Sequence, residues 1–304
     1  MAPPETAAAA PAERPARPSA RRRGWLGFAG LAPLVLWQCV FFVGPLLLLV
    51  VYSCMTMQGY RVVPEFTLEN YHRVLTSPPF WKSAGLSVML ATLITVCCAL
   101  LGFPVAYFIA RKAGRWRNLL LVCVVAPFWI SLVMRIAAWR LLLGEHGFVN
   151  GALSGTGLIA EPLGWLLYSP FATGIGCVYA YLPLVVLPIY SSIEKIEENW
   201  IAAARNLSAT PFQVFIEIIL PLSLPGLLIG CGFSFIFGLG EFVAPALLGG
   251  GKTMMMSQVI QNEFQNRLDW PTGSAMSIVM LAMIGLVLAG IAFGLRHRPQ
   301  GKAA

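Results

Sequence analysis

The sequence predicts an all-α integral membrane protein with six transmembrane helices, and three observations lead to that fold class. First, 58% of the 304 residues are hydrophobic and 11% are charged, whereas soluble domains average roughly 45–50% and about 25%. Second, the apolar residues form long blocks instead of alternating patterns. Third, most basic residues lie beside those blocks. A helix needs about 20 apolar residues to cross the hydrocarbon core, so these blocks indicate membrane spans.

The net charge and the scarce metal-binding side chains exclude two other classes. The formal charge of +8 is not gathered on one amphipathic face, as it would be in a nucleic-acid-binding protein. The seven cysteines lie within or at the ends of apolar blocks and show no CxxC spacing. The three histidines are scattered. The sequence therefore predicts no nucleic-acid partner and no metal site.

The apolar blocks define six candidate spans. The first follows three arginines, but its apolar run is much longer than the roughly 7–15 residues of a signal-peptide core, so we interpret it as an uncleaved helix. The predicted spans cover residues 25–54, 84–110, 119–143, 171–190, 224–248 and 274–295.

Lysine and arginine divide unequally between the two sides of the predicted membrane. Fourteen lie on the side that holds both termini and five on the opposite side, and cytoplasmic loops carry the excess of these residues. We therefore expect cytoplasmic termini. Residues 1–24 are predicted as a disordered basic tail, residues 25–295 as the transmembrane domain, and residues 296–304 as a second tail.

The loop between the fourth and fifth spans, residues 193–223, has a pattern of its own on the predicted cytoplasmic side. Its alanine-rich stretch favours a short helix that ends near Ser208. Thr210, Pro211 and Gln213 then supply a capping hydroxyl, a proline at the first helical position and a reciprocal cap, which together begin a second helix. Pro221 and Pro225 interrupt the chain again before the next span. The sequence thus predicts a stiff elbow of two short helices.

Glycines recur in the last two predicted spans. Gly230, Gly232, Gly238 and Gly240 lie in the fifth, and Gly285, Gly290 and Gly294 in the sixth. Small residues let membrane helices approach closely, so we expect these faces to pack against other helices.

The elbow sequence AAARNLSATPFQVFIEIILPLSLPG, residues 202–226, resembles the EAA loop of type I ABC importer permeases. That loop commonly reads E-A-A with a glycine near its turn; here Ala202 stands at the glutamate position and Ser208 at the glycine position. A left-handed serine costs up to about 1 kcal/mol relative to glycine. The resemblance implies an ATPase-coupling loop formed by Ala202, Ala203, Ala204, Arg205, Leu207, Ser208, Pro211, Phe215, Leu220 and Pro221.

Three further stretches narrow the resemblance. PFWIS at 127–131, leading to Arg135 and Trp139, GEFVAPALLGG at 240–250 and RLDWP at 267–271 are similar to the first permease subunit of spermidine/putrescine-type importers. The resemblance implies a MetI-like permease in a bacterial inner membrane. It also implies a second permease, two ATPase subunits that bind ATP and magnesium, and a periplasmic solute-binding protein.

One stretch superficially suggests a nucleotide site in this chain. GGGKT at 249–253 ends like a phosphate-binding loop, but the motif needs glycine at position 246, where the chain has Ala246, and a preceding strand. We therefore expect no cofactor in this chain and no enzymatic activity. Energy would come from the partner ATPase.

Ionisable side chains inside predicted spans point to a pathway, because a charge there costs about 2.5–3.5 kcal/mol even on the lenient insertion scale. Arg140 lies near a span end, where it can snorkel. Arg135 and Glu241 lie in the outer halves of their spans and either form a buried ion pair or line a cavity in which Glu241 attracts a cation. Aromatic faces could then bind ammonium groups, and the candidates are Trp129, Trp139 and Phe242.

Three functions remain open at this point. The leading one is a permease subunit for a polyamine-like cation such as spermidine or putrescine. The second keeps the importer but carries ferric iron, a phosphonate or an opine. The third, an intramembrane enzyme, lacks both a recognisable nucleophile with its base and a pair of carboxylates within the spans.

Overall fold

The structure is a computed structural model that describes residues 33–159 and 161–296, the side chains of 291–296 excepted. Within these ranges five helices are long and apolar enough to cross a membrane, and one bent helix pair brings the number to six. The predicted six-span fold is confirmed. The predicted N-terminal tail and almost all of the C-terminal one lie outside the described residues.

The chain divides into two units, residues 1–51 and 52–304. The first contains most of helix α1 (Pro33–Ser53), which includes a π-helical stretch at Cys39–Val43. Residues 25–32 of the first predicted span lie outside the described residues.

The second unit begins with a small antiparallel hairpin, β1 (Thr56–Gln58) and β2 (Arg61–Val63), in which Thr56 pairs with Val63. The remaining elements are helical. They are α2 (Glu69–Thr76), α3 (Pro78–Arg111), α4 (Arg117–Val125), α5 (Leu132–Leu143), α6 (Phe148–Gly155), α7 (Pro170–Glu194), α8 (Glu198–Asn206), α9 (Pro211–Gly240), α10 (Val243–Leu248), α11 (Met256–Gln265) and α12 (Trp270–Arg296).

Helices α3, α7 and α9 pack against one another and form the centre of the second unit. Fully buried side chains at the contact include Ile94, Val185 and Ile189. The second, fourth and sixth predicted spans lie within α3, α7 and α12, so apolar run length located these helices correctly.

Two glycines of α9 let it approach α7 closely. A Cβ atom at Gly226 would run into the backbone carbonyl of Pro188, and one at Gly230 would lie 2.9 Å from the Cα of Val185. Gly238 packs near Ala91 of α3, at 3.3 Å by the same measure. The other described glycines of the predicted pattern have open space instead: Gly232, Gly240, Gly285 and Gly290.

The third predicted span, residues 119–143, is not one continuous helix. Two helical segments, Gly114–Trp129 and Leu132–Gly155, meet at an angle of 93°. Pro127 cannot donate a backbone hydrogen bond to the preceding turn. The chain tightens into a 3₁₀ turn at Ala126–Trp129 and becomes extended at Ile130, which produces the bend.

The fifth predicted span, residues 224–248, is also interrupted. Helix α9 ends at Gly240, Glu241 is extended, and α10 begins two residues later. Pro245 has no N–H for the carbonyl four residues earlier, which is that of Glu241, and its ring would clash there in a continuous helix. The Ser257 hydroxyl donates to that freed carbonyl instead.

The close approach of α7 and α9 gives a direct test of the fold. We expect Gly226→Ala to destabilise the protein by about 1–3 kcal/mol, because the added methyl group has to displace backbone. The midpoint of thermal unfolding in detergent measures the effect. Gly232→Ala is the matched control in the same helix, where a Cβ meets nothing within 4 Å; equal midpoints for the two variants would contradict the packing described here.

Candidate functional site

The elbow, defined here as residues 198–214, consists of helix α8, a tight turn and the first turn of α9. The predicted helix starts are present, but the predicted interruption at Pro221 and Pro225 is wrong, because α9 continues through both prolines after a π-helical stretch at Phe215–Ile219. Helix α8 ends where the Leu207 N–H bonds the carbonyls of Ala203 and Ala204. Ser208 adopts a left-handed conformation with φ of 64°. The Thr210 side chain then accepts from the Gln213 N–H at 3.3 Å. Gln213 in turn accepts from the Thr210 N–H at 2.8 Å, which completes the predicted capping box.

Arg111, the last residue of α3, fastens the elbow to the spans. Its guanidinium donates to the Glu198 carboxylate at 2.8 Å. It also donates to the backbone carbonyls of Ile193 and Ile196 at 3.0 and 2.6 Å. The Arg111 side chain is only 9% exposed. One charged group therefore joins the end of α3, the end of α7 and the start of α8.

Aromatic packing continues this connection along α3. Phe103, Tyr107 and Arg111 follow one another at four-residue intervals and so lie on one helical face. The Phe215 ring meets the Phe103 ring edge-on with centroids 5.6 Å apart, and the Tyr107 ring at 6.3 Å. Arg117, the first residue of α4, connects that helix to α7, because it donates hydrogen bonds to both Tyr190 and Glu194.

The predicted coupling residues divide into exposed and packed groups. Ala204, Phe215 and Leu220 are half-buried against the helices. Leu207 at the turn is 85% exposed, and Phe212, which the sequence analysis did not select, is 71% exposed. The other predicted coupling residues are exposed as well: Ala202, Ala203, Arg205, Ser208, Pro211 and Pro221. The elbow thus presents two large apolar side chains on an exposed surface.

The sequence analysis also missed Arg111 and Glu198. Arg111 ends an apolar span on the same face as two aromatic residues, and Glu198 lies four residues before Ala202. The sequence signal for Glu198 is a carboxylate one helical turn before Ala202, the position at which the EAA loop usually has glutamate.

Glu241 lies at the interruption after α9 and is 4% exposed. The Tyr181 hydroxyl of α7 donates to its carboxylate. The backbone N–H groups of Val243 and Ala244 donate to the other carboxylate oxygen at 2.7 and 3.1 Å. Glu241 therefore caps the start of α10 while it bonds α7.

Arg135 and Glu241 line one cavity of about 330 Å³. The predicted alternative of a direct ion pair is not realised, since the described residues show no Arg135–Glu241 contact within 4.0 Å. The Arg135 guanidinium instead lies over the Phe128 ring, 5.4 Å from its centroid. Both helix interruptions border this cavity, through Leu132 on one side and Val243 on the other.

The structure brings one of the three candidate aromatic residues to this cavity. Phe242 lines it. Trp129 is 78% exposed, and Trp139 packs edge-on against Tyr179 at 5.8 Å in a different, apolar cavity. Residues that sequence reasoning missed at the cavity are Phe128, Tyr181 and Phe237; Tyr181 comes from another span, so no local motif marks it.

The RLDWP stretch forms the turn between α11 and α12. Asp269 accepts from the Thr272 N–H at 3.0 Å and so caps α12. Arg267 donates to Glu263 at 3.1 Å. Burial raises the pKa of Glu263, while the neighbouring Arg267 acts in the opposite direction. The stretch therefore has a local structural role.

Residues 99–298 match the family model described as binding-protein-dependent transport system inner membrane component. The chain belongs to this family. It is accordingly an inner-membrane permease subunit of an ABC importer, and neither an enzyme nor an ATPase.

Individual relatives of this permease agree with the family. It is 36% identical to the spermidine/putrescine transport system permease protein PotB of Escherichia coli (strain K12), over 85% of this chain and 94% of that protein. It is 35% identical to PotB of Haemophilus influenzae, over 83% and 88% of the two chains. A crystal structure of a bacterial ABC transporter involved in alginate import matches with a TM-score of 0.72 and 18% identity, covering 92% and 98% of the chains. This structural similarity supports the fold assignment alone.

The Arg111 contacts predict that this side chain orders the elbow. We expect Arg111→Ala to speed backbone hydrogen exchange in residues 198–214 by about tenfold or more, because lost charge-assisted hydrogen bonds are worth about 1.5–3 kcal/mol. Lys112→Ala is the matched control, because Lys112 is exposed and, within the described part of the chain, its side chain makes no hydrogen bond or ion pair, while its backbone bond to Phe108 does not depend on the side chain. Equal exchange in both variants would contradict the role given to Arg111.

Proposed function

We propose that this permease subunit forms part of the translocation path for a polyamine-like cation of the spermidine or putrescine class. The observation that supports this cargo is the 36% identity to a spermidine/putrescine permease across 94% of that protein. Ferric iron, a phosphonate or an opine stays an alternative cargo on the same machinery, and uptake measurements with the partner binding protein separate them.

The assembly we propose contains this chain, a second and different permease, two ATPase subunits and a periplasmic solute-binding protein. ATP and magnesium would be bound by the ATPase subunits. The family description supports a binding-protein-dependent system, and one similar structure is described as a complex with a ligand-bound periplasmic protein.

We propose that the elbow faces the cytoplasm and receives the ATPase. The excess of basic residues on the side of the termini supports this orientation. Exposed Leu207 and Phe212 supply the apolar anchors that protein interfaces commonly bury. Because Arg111 and Phe215 join the elbow to α3 and α7, closure of the ATPase subunits would move these helices with the elbow as one body.

We propose that the cavity between the two helix interruptions belongs to the path. Interrupted membrane helices commonly form the solute sites of transporters. Glu241 supplies negative charge, and Phe237 and Phe242 supply aromatic faces for an ammonium group. In this conformation the Tyr181 hydroxyl is hydrogen-bonded to the Glu241 carboxylate, so a solute amine would have to replace that hydroxyl.

The exposed turn gives a test of the coupling role. In the assembled transporter we expect Leu207→Asp to reduce co-purification of the ATPase by about tenfold, because a charge replaces a buried apolar contact. Ala203→Cys should crosslink to the ATPase. Leu158→Asp is the control, a change at another exposed leucine, 74% exposed, outside the elbow. Undiminished recovery with Leu207→Asp, together with no crosslink from position 203, would exclude the elbow as the docking site.

The cavity role has a separate test. We expect Glu241→Gln to lower polyamine uptake about tenfold, equivalent to about 1.4 kcal/mol of lost interaction, while binding-protein-stimulated ATP hydrolysis continues. Reconstituted vesicles and labelled spermidine measure both quantities. Glu65→Gln, at an exposed position, is the control. Unchanged uptake with intact coupling would remove Glu241 from the path.

A further inference from the structure

Arg135 has hydrogen-bonding capacity that the described residues do not use. The residue is 8% exposed, and its Nε and Nη1 atoms are buried without an acceptor. The Phe128 ring at 5.4 Å offers a cation–π contact, but it accepts no conventional hydrogen bond from the unpaired nitrogens. A guanidinium carries five N–H donors in a fixed planar arrangement, suited to a carboxylate. Arg135 therefore lines the cavity with two donor atoms that have no acceptor among the described residues.

The carboxylate that lines the same cavity does not fill this site. Glu241 lines the same cavity, and it is the only acidic side chain among the described residues that do so. Its oxygens are already engaged by Tyr181 and by the first N–H groups of α10. A counter-charge for Arg135 would therefore come from outside this part of the chain.

A membrane environment makes such a counter-charge necessary. Charges within spans are costly and normally pair with another group, and a buried charge without its partner is strongly destabilising. The cavity wall includes Phe237 and Phe242, which are 51% and 44% exposed. An arginine within an apolar recess has the composition of a protein interface centre.

We propose that Arg135 binds a carboxylate of the second permease subunit, which enters this cavity in the assembled transporter. The inference rests on the proposed function, because both the second permease and the cationic cargo belong to it. A polyamine carries ammonium groups and no carboxylate, so the solute itself cannot neutralise Arg135.

The same pairing serves the proposed cargo. An unpaired guanidinium beside Glu241 would repel a cationic solute at the position where Glu241 attracts it. A carboxylate from the partner permease removes that repulsion and leaves Glu241 available. Arg135 is then a positioning residue, which acts on the solute through the assembly.

The test uses the complete transporter, purified through a tag on this chain. We expect Arg135→Gln to lower recovery of the second permease about tenfold or more, the effect of removing one partner of a buried pair. Arg140→Gln is the matched control on the same helix, because Arg140 contacts Tyr168 of its own chain at 3.2 Å and should leave recovery unchanged. Arg135→Lys, which keeps the charge, should retain more of the partner than Arg135→Gln.

A charge exchange identifies the partner group even where Arg135→Gln folds poorly. Arg135→Glu is combined with Arg substitutions at each intramembrane Asp or Glu of the second permease. We expect one combination to restore recovery to within about twofold of the unaltered complex. The proposal is overturned if Arg135→Gln leaves recovery unchanged, or if no combination restores it.

Uptake by the unaltered transporter distinguishes this result from the cargo proposal. Recovery of the second permease is measured without transport. If a charge exchange restores assembly but the unaltered complex takes up no labelled spermidine, the cargo proposal fails and the pairing stands. If recovery of Arg135→Gln is normal but the solute concentration for half-maximal uptake changes, Arg135 meets the solute and the pairing is overturned.

Discussion

The need to satisfy every backbone polar group inside the membrane governs where this permease can depart from a regular helix. Pro245 prevents α9 from continuing through Glu241, and the freed groups find partners at once. The Glu241 carboxylate accepts from the N–H groups of Val243 and Ala244, and Ser257 donates to the Glu241 carbonyl. A single residue thus ends one helix, caps the next and carries a charge. The helix break and the buried charge therefore lie at the same residue, because both depend on the interruption at Glu241.

The elbow, at the surface, also depends on specific hydrogen bonds for its stability. The nine-residue helix α8 is marginal by itself, since helix formation needs a costly first turn. The capping box stabilises the start of α9, and Arg111 connects α8 to the carbonyl end of α7. A cation suits that end of a helix. The elbow and two spans are therefore joined by directional bonds.

Local patterns were sufficient to predict much of this structure. Apolar run length located α3, α7 and α12, and the residues Thr210, Pro211 and Gln213 located the elbow helix and its cap. The failures have a common physical origin. Run length cannot detect a bend at Ile130 or an interruption at Glu241, because both segments stay apolar. The partners of Arg111 lie 82–87 residues away in sequence, and Tyr181, the partner of Glu241 from another span, lies 60 residues away. No local spacing contains that information.

The two buried charges of the cavity are unequal in a way that their residue types do not indicate. The sequence alone allows both to be members of an ion pair or of a path. In the structure Glu241 has three donors, whereas two Arg135 nitrogens have no acceptor. Among the described residues around the cavity, the buried carboxylate therefore has its donors, whereas the buried guanidinium lacks acceptors. A cation entering it would find Glu241 already solvated by protein and a guanidinium nearby. For a cationic cargo, Arg135 would therefore need a counter-charge, and in the proposed assembly the second permease would supply it.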